Sequence, residues 1–418
     1  MAEVLPFRGI TYNRAIDPDL VVSAPYDVIS PEEREIYKAR HENNFVRLIL
    51  GDEYPGDTEK NDRFTRAGAF IDEWLEKGIL QEAPAPVFYM YQQRFARDGS
   101  PCVVNGFIGA VKLCDYSENV ILPHENTLSR PKGALERTIE CTRCNLDSVY
   151  GLYSDPGDVL GAVIRDCCRR APDIAAHDID GNGHNVWEIS DPDLMGLISS
   201  FMADKQIAIA DGHHRYETAL KYRDMLRERG RATRASEYVM MTLVNVYEKD
   251  LTVLPTHRVV YGIHQQAADS LPEALSEQFT LIPVSREGLQ AAMEGRHLGL
   301  VTPGGVFVLR KHPDTVPDIE ASVYTRELEL TLLHECILDR LLGIDRQKLA
   351  RHTNVIYTRS AGEAFELVSS GKAQLAFICN EIPVKTILDI ASAGEKMPQK
   401  ATYFYPKLLS GMVIRSLK

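Results

Sequence analysis

Lys205-Gln-Ile-Ala-Ile-Ala-Asp-Gly-His-His-Arg-Tyr-Glu-Thr-Ala-Leu220 is the stretch whose reading decides the fold. Gln206 to Ala210 is short and apolar, with two isoleucines, and reads as a buried strand. From Ala219 through Tyr222 and Leu226 the apolar residues recur at helical spacing, in a segment rich in Arg, Glu, Lys and Leu that runs to Gly230. Asp211-Gly212-His213-His214-Arg215 therefore sits where a strand gives way to the first turn of a helix. Free backbone N–H groups and the positive end of the helix dipole make such a turn an anion site. Gly212 lets the backbone approach a ligand, His213, His214 and Arg215 add donors, and Asp211 can hold a metal or accept a proton. An aspartate cap and two surface histidines would explain part of this turn without any ligand. Their compression, with Gly and Arg, into consecutive positions after an apolar strand favours a phosphate-handling turn.

The rest of the composition bounds the function. A chain of 418 residues, 44% hydrophobic and 25% charged, can bury a large core in two or three domains. A net charge of −12 argues against nucleic-acid binding, which needs a basic surface. No apolar run is long enough to span a membrane, and the opening residues carry no signal-peptide pattern, so a cytoplasmic location is expected. Eight cysteines in a chain of this length do not suggest a disulfide framework. Cys141 and Cys144 have C-x-x-C spacing but no second such pair, which favours incidental thiols over zinc.

Working outward from the central turn, the elements alternate between strand and helix, and the class expected is α/β (α+β). Ser30-Pro31-Glu32-Glu33 reads as a capping box that starts a helix, Asn44 to Leu50 as a strand, and Phe64 to Lys77 as a helix ended by Gly78. Val87 to Phe95 and Val103 to Cys114 read as strands joined by an Asp98-Gly99 turn. Asp158 to Arg170 reads as a helix, and Asp178 to Asn185 as a turn that imitates the first half of a calcium loop. Glu237 to Tyr247 and Leu251 to Leu254 read as a strand pair, and Leu328 to Leu342 as an amphipathic helix. A change of texture near Tyr261–His264 suggests two regions, 1–262 and 263–418, the second with a tail returning toward the site.

Three further segments hold candidate site residues. His124-Glu125-Asn126-Thr127, followed by Arg130 and Lys132, combines a histidine, a carboxylate and two basic residues at a strand end, which suits acid–base work beside an anion. His257-Arg258 is a second candidate anion contact. Lys400 and Lys407 flank three aromatics in the closing stretch, Met397 to Lys407.

Taken together, these motifs resemble, in order and over nearly the whole chain, the family catalogued as domain of unknown function 1015. The blocks that carry the resemblance are Ala24 to Ile29, Asn44 to Leu48, His124 to Thr127, Gly151 to Asp155, Ile209 to Ala219, Pro255 to Arg258 and Met397 to Lys407. The Asp-Gly-His-His-Arg turn also resembles the phosphate-binding turn of the ParB/sulfiredoxin class, which includes free serine kinases. That resemblance implies a small ParB/sulfiredoxin-like core with N-terminal and C-terminal α/β additions. It implies phosphoryl transfer to a small hydroxyl metabolite, free L-serine above all, from pyrophosphate or a nucleotide. Gly212, His213, His214, Arg215, His257 and Arg258 would then hold the donor. Glu125 would be the base, with Asp211 as competitor or magnesium ligand and His214 as a third catalytic group. His124, Thr127, Arg130, Lys132, Lys400 and Lys407 would contact the substrate. Phosphatase chemistry at the same site, a nucleotide-responsive ParB-like regulatory protein, and a zinc enzyme built on the histidines and cysteines remain the alternatives.

Overall fold

A computed structural model describes residues 1–125, 129–295, 297–315 and 319–418, and leaves the side chains of 129–132 undescribed. Thr127 thus lies outside the described residues, as do the side chains of Arg130 and Lys132. The fold is mixed α/β. The chain divides into two compact units, one of Met1–Pro123, Thr127–Thr252 and Pro406–Lys418, the other of His124–Asn126 and Val253–Tyr405.

The first unit is built on a nine-stranded sheet. Across it the strands run Ile121–Leu122, Ile207–Asp211, Val149–Tyr153, Tyr238–Asn245, Ser100–Lys112, Phe88–Arg97, Gly183–Ile189 and Ile174–His177, with Val4–Leu5 added against Ser100–Lys112. Most pairings are antiparallel; Ile207–Asp211 is parallel to Ile121–Leu122, and Tyr238–Asn245 to Val149–Tyr153. Tyr238–Asn245 is buried along its whole length because it is central and covered on both faces, which is why it reads as one apolar run. The Asp98-Gly99 hairpin forms as expected, with both residues at positive φ (50° and 76°), the geometry that matches the strand twist. A smaller sheet joins Leu80–Glu82, Gly9–Tyr12, Ile414–Ser416 and Cys144–Asn145.

The helix His213–Glu228 is fixed to the large sheet by buried polar contacts. Tyr216 donates its hydroxyl to the Cys114 carbonyl (2.7 Å) and accepts from the Cys114 amide (3.0 Å). Buried Arg223 donates to the Leu113 carbonyl at 2.7 Å. The helix N-terminus is therefore held rigidly at the end of Ile207–Asp211.

The second unit carries a six-stranded antiparallel sheet. Its strands run Phe279–Val284, Gly305–Lys311, Leu298–Thr302, Leu375–Ile378, His257–Val260 and Val355–Thr358. Val259, Val301, Val308, Phe365, Ala376 and Ile378 form part of its core.

Several local expectations need correction. Asn44 to Leu50 is not a strand: Val46–Ile49 is a short helix. The Asn44 side chain accepts from the Val46 amide (3.0 Å) and donates to the Leu20 and Val22 carbonyls, which turns the chain into a helical turn. A short apolar run cannot be told from a strand by periodicity alone. Tyr238–Asn245 pairs with Ser100–Lys112 and Val149–Tyr153, not with Thr252–Leu254. The helix expected over Asp158 to Arg170 is confined to Gly161–Cys167. The one expected over Leu328 to Leu342 begins as Glu329–Thr331 and widens into a π-helix over Leu332–Asp339. The calcium-like turn is organised by Asp178 itself, whose Oδ1 accepts from the Asp180 and Asn182 amides at 2.9 and 2.8 Å.

Candidate functional site

Asp211 ends its strand at an irregularity. Ile209 faces Gly151 and Asp211 faces Tyr150, so Ala210 is an extra residue and the pairing register shifts. Bulges of this kind re-aim the side chain that follows. Gly212 then adopts φ +91° and caps the helix His213–Glu228 without a side-chain hydrogen bond.

Gly212 is needed for a reason other than ligand approach. A Cβ built there would stand 2.9 Å from Arg215 Nε and 3.0 Å from its Cζ. The bare backbone lets the Arg215 guanidinium fold back over it to reach Asp211. Gly212→Ala should cost about 1–3 kcal/mol through the strained φ, and should displace Arg215. Thermal melts with circular dichroism check the stability loss, and an unchanged melting temperature would contradict this role.

Asp211 carries a cation on each oxygen. Arg215 Nη2 lies 2.7 Å from Oδ2, and Lys407 Nζ lies 2.9 Å from Oδ1. Burial would raise the Asp211 pKa, but the charges of Lys407 and then Arg215 outweigh it and hold the carboxyl well below the usual carboxylate range. With both oxygens on cations, Asp211 does not fit the expected role of magnesium ligand, and its low basicity suits it poorly for accepting a proton. Among the described residues no group of three His, Cys, Asp or Glu is placed to hold a metal ion. Lys407 is set in place by buried Gln93, which donates to the Pro406 and Lys407 carbonyls at 2.8 and 3.3 Å.

Arg215 is the centre of the charged cluster. It donates through Nη1 to the Ser148 carbonyl, and, against burial, its charge is favoured by the carboxyl groups of Asp211, Asp147 and Asp27. Tyr26 and Asp27 lie in a tight turn closed by the Val28 amide on the Pro25 carbonyl (3.1 Å). Burial raises the pKa of Asp147, and the nearby Arg215 and the Ser410 side chain oppose that rise without cancelling it.

Beside this cluster, and within the first unit, opens a cavity of about 100 Å³ lined by Tyr26, Arg63, Asn145, Asp147, Arg215 and Thr218 among mostly apolar neighbours. Arg215 and Thr218 are three residues apart on one helix face. Arg63 Nε, Asp147 Oδ1 and Thr218 Oγ1 are buried atoms with no hydrogen-bond partner among the described residues. The cavity thus offers a donor, an acceptor and a hydroxyl to whatever enters it.

Of the residues singled out in the sequence, the first unit brings together Asp211, Gly212, His213, His214, Arg215 and Lys407. His213 is buried and His214 half-buried. Tyr26, Arg63, Gln93, Asp147 and Thr218 were not singled out. Tyr26 and Thr218 stand in blocks that carry the family resemblance, Ala24 to Ile29 and Ile209 to Ala219, which was the available signal; Arg63, Gln93 and Asp147 are isolated in sequence.

The second unit holds His124, Glu125, His257, Arg258 and Lys400. His124 Nε2 lies 3.0 Å from Thr402 Oγ1, which in turn donates to Glu125 Oε1 at 3.5 Å, and the Met397 amide donates to the His124 carbonyl at 2.8 Å. His257 Nδ1 accepts from the Cys379 amide at 3.2 Å. Fully buried Arg258 donates to the carbonyls of Thr256, Gln399 and Lys400, so its guanidinium is engaged inside this unit. Lys400 is exposed and has φ +54°.

A conserved hypothetical protein from Pyrococcus furiosus is similar over 69% of this chain and 89% of its own, at 12% identity and a TM-score of 0.36. A variant of a free serine kinase in complex with AMP is similar over 72% and 87%, at 12% identity and a TM-score of 0.39. A C-terminally truncated SbnI from Staphylococcus aureus is similar over 72% and 85%, at 11% identity and a TM-score of 0.37. No curated protein matches the chain. The family described as "Protein of unknown function (DUF1015)" matches residues 4–332, and the chain belongs to that family.

Proposed function

We propose that the protein transfers a phosphoryl group from pyrophosphate or a nucleotide to a small hydroxyl metabolite, with free L-serine as the acceptor. One observation carries this reading. A helix start capped by a left-handed glycine, with Arg215 and Lys407 paired at its mouth, adjoins a cavity holding a carboxylate oxygen with no partner among the described residues. The donor phosphates lie against the amides of His213 to Arg215, where the helix dipole and the two cations offset their charge. The acceptor enters the cavity, its carboxylate toward Arg63 and its hydroxyl toward Asp147. Asp147 takes the hydroxyl proton, the oxygen attacks phosphorus, and the bridging bond to the donor breaks. A carboxyl whose pKa lies above the ordinary range is better matched to this proton than Asp211. Asp211 acts as the counter-ion that positions Arg215 and Lys407. Glu125 belongs to the second unit and stays in the test as the base expected from the sequence.

Phosphorus NMR of the protein with serine and each donor in turn should show O-phosphoserine. Asp147→Asn should lower turnover by about 10²–10⁴-fold, the usual contribution of a general base. His214→Ala and Glu125→Gln, run in parallel, rank the other candidates. Absence of product with every donor, or hydrolysis of phosphoserine in its place, would overturn the assignment.

A further inference from the structure

A second cavity, of about 160 Å³, lies wholly within the second unit. Thr331 and His334 form its floor, Glu335, Arg346 and Lys396 its rim, and Met397 part of its wall. The floor residues are 2% and 6% exposed, and Thr331 Oγ1 and His334 Nε2 have no hydrogen-bond partner among the described residues. Buried polar atoms left in this condition ask for a ligand or water to complete them. His334 sits within the π-helical stretch Leu332–Asp339, whose wide turn continues as the Leu342 amide donates to the Ile337 carbonyl at 3.1 Å. Such stretches recur at ligand sites.

The rim sets the ligand's charge. Arg346 and Lys396 are exposed cations, while Glu335 contributes one carboxylate, already paired with Arg346 Nη2 at 2.9 Å. The wall that carries Lys396 and Met397 is anchored just beyond by Arg258, on the Gln399 and Lys400 carbonyls at 3.0 and 3.1 Å. One histidine and one glutamate are too few for a metal site. In volume the cavity is close to one of about 150 Å³ known to hold benzene, so it suits a molecule of about six heavy atoms.

We propose that this cavity is a second small-molecule site, for a compact metabolite bearing an oxyanion. The oxyanion lies between Lys396 and Arg346, and another polar atom of the ligand meets Thr331 and His334. Carboxylate and phosphate share this chemistry. Of the residues lining the cavity, only Thr331 lies within residues 4–332, which the family model matches, and the proposal does not depend on phosphoryl transfer in the first unit.

The test is NMR of the full-length protein labelled at histidine, with the His334 signal assigned by its loss in His334→Gln. Sodium acetate and sodium phosphate are titrated separately against sodium chloride at matched ionic strength. A saturable shift of the His334 signal with acetate or phosphate, absent with chloride, supports the site and tells carboxylate from phosphate. Lys396→Ala alters only an exposed rim residue and should weaken that binding about tenfold, as loss of a charge-assisted hydrogen bond does. Glu335→Gln should strengthen it by releasing Arg346. No saturable shift, a shift equal to that with chloride, or unchanged affinity in both Lys396→Ala and Arg346→Ala would overturn the proposal.

Discussion

Asp211→Asn is expected to lower the unfolding free energy by about 2–3 kcal/mol, between the cost of breaking an exposed ion pair and that of breaking a fully buried one, because the Asp211 side chain is 22% exposed. The change is nearly isosteric, so the loss comes from charge: the side chains of Arg215 and Lys407, 10% and 11% exposed, would face each other without their shared anion. Urea denaturation should show a lower midpoint with an unchanged slope. Lys407→Met in the Asp211→Asn background should restore part of the loss by removing the repulsion, a coupling that a double-mutant cycle reads directly. A loss below about 1 kcal/mol would mean that water screens the cluster as it screens surface pairs. The pH dependence has a definite sign. Because the folded-state pKa of Asp211 lies below its unfolded value, its contribution is present above the unfolded carboxylate pKa and is lost as pH falls through the folded value.

The second large effect is acid destabilisation of the unit that contains His257. Burial, and then the adjacent Arg258, lower the His257 pKa to about 4. The ring is held neutral, with Nδ1 accepting from the Cys379 amide. Its folded pKa lies below the ordinary histidine value of about 6.5, so the unfolded chain binds the extra proton across that window. Stability from this group is complete above about pH 6.5 and falls as pH drops toward 4, by about 3 kcal/mol in all. Burial pushes His184 and His334 in the same direction, so the His257 share must be isolated. His257→Gln keeps an acceptor for the Cys379 amide and should flatten the stability–pH curve by that amount in urea melts from neutral pH downward. An equally steep curve in the variant would assign the acid sensitivity elsewhere.

Much of the architecture was legible from local patterns. The strand before Asp211, the helix after Gly212, the capping box at Ser30 and the Asp98-Gly99 hairpin each follow from apolar spacing or from a residue that tolerates one backbone conformation. The Asp-Gly-His-His-Arg cluster was legible for the same reason, since its residues are consecutive. The strand expected at Asn44 failed because the Asn44 side chain bonds its own neighbours and overrides propensity.

Only the tertiary structure decided which distant residues join that cluster. Lys407 and Asp211 are 196 positions apart, and the contact depends on Gln93 holding the chain at Pro406–Lys407. Asp147 and Arg63 carry no motif, and become notable only when packing buries their polar atoms beside Arg215 without a described partner. The strand–turn–helix at residue 211 is written in short-range backbone preferences. Burial and pairing of charge depend on which parts of the chain the sheet brings together, and no local spacing encodes that.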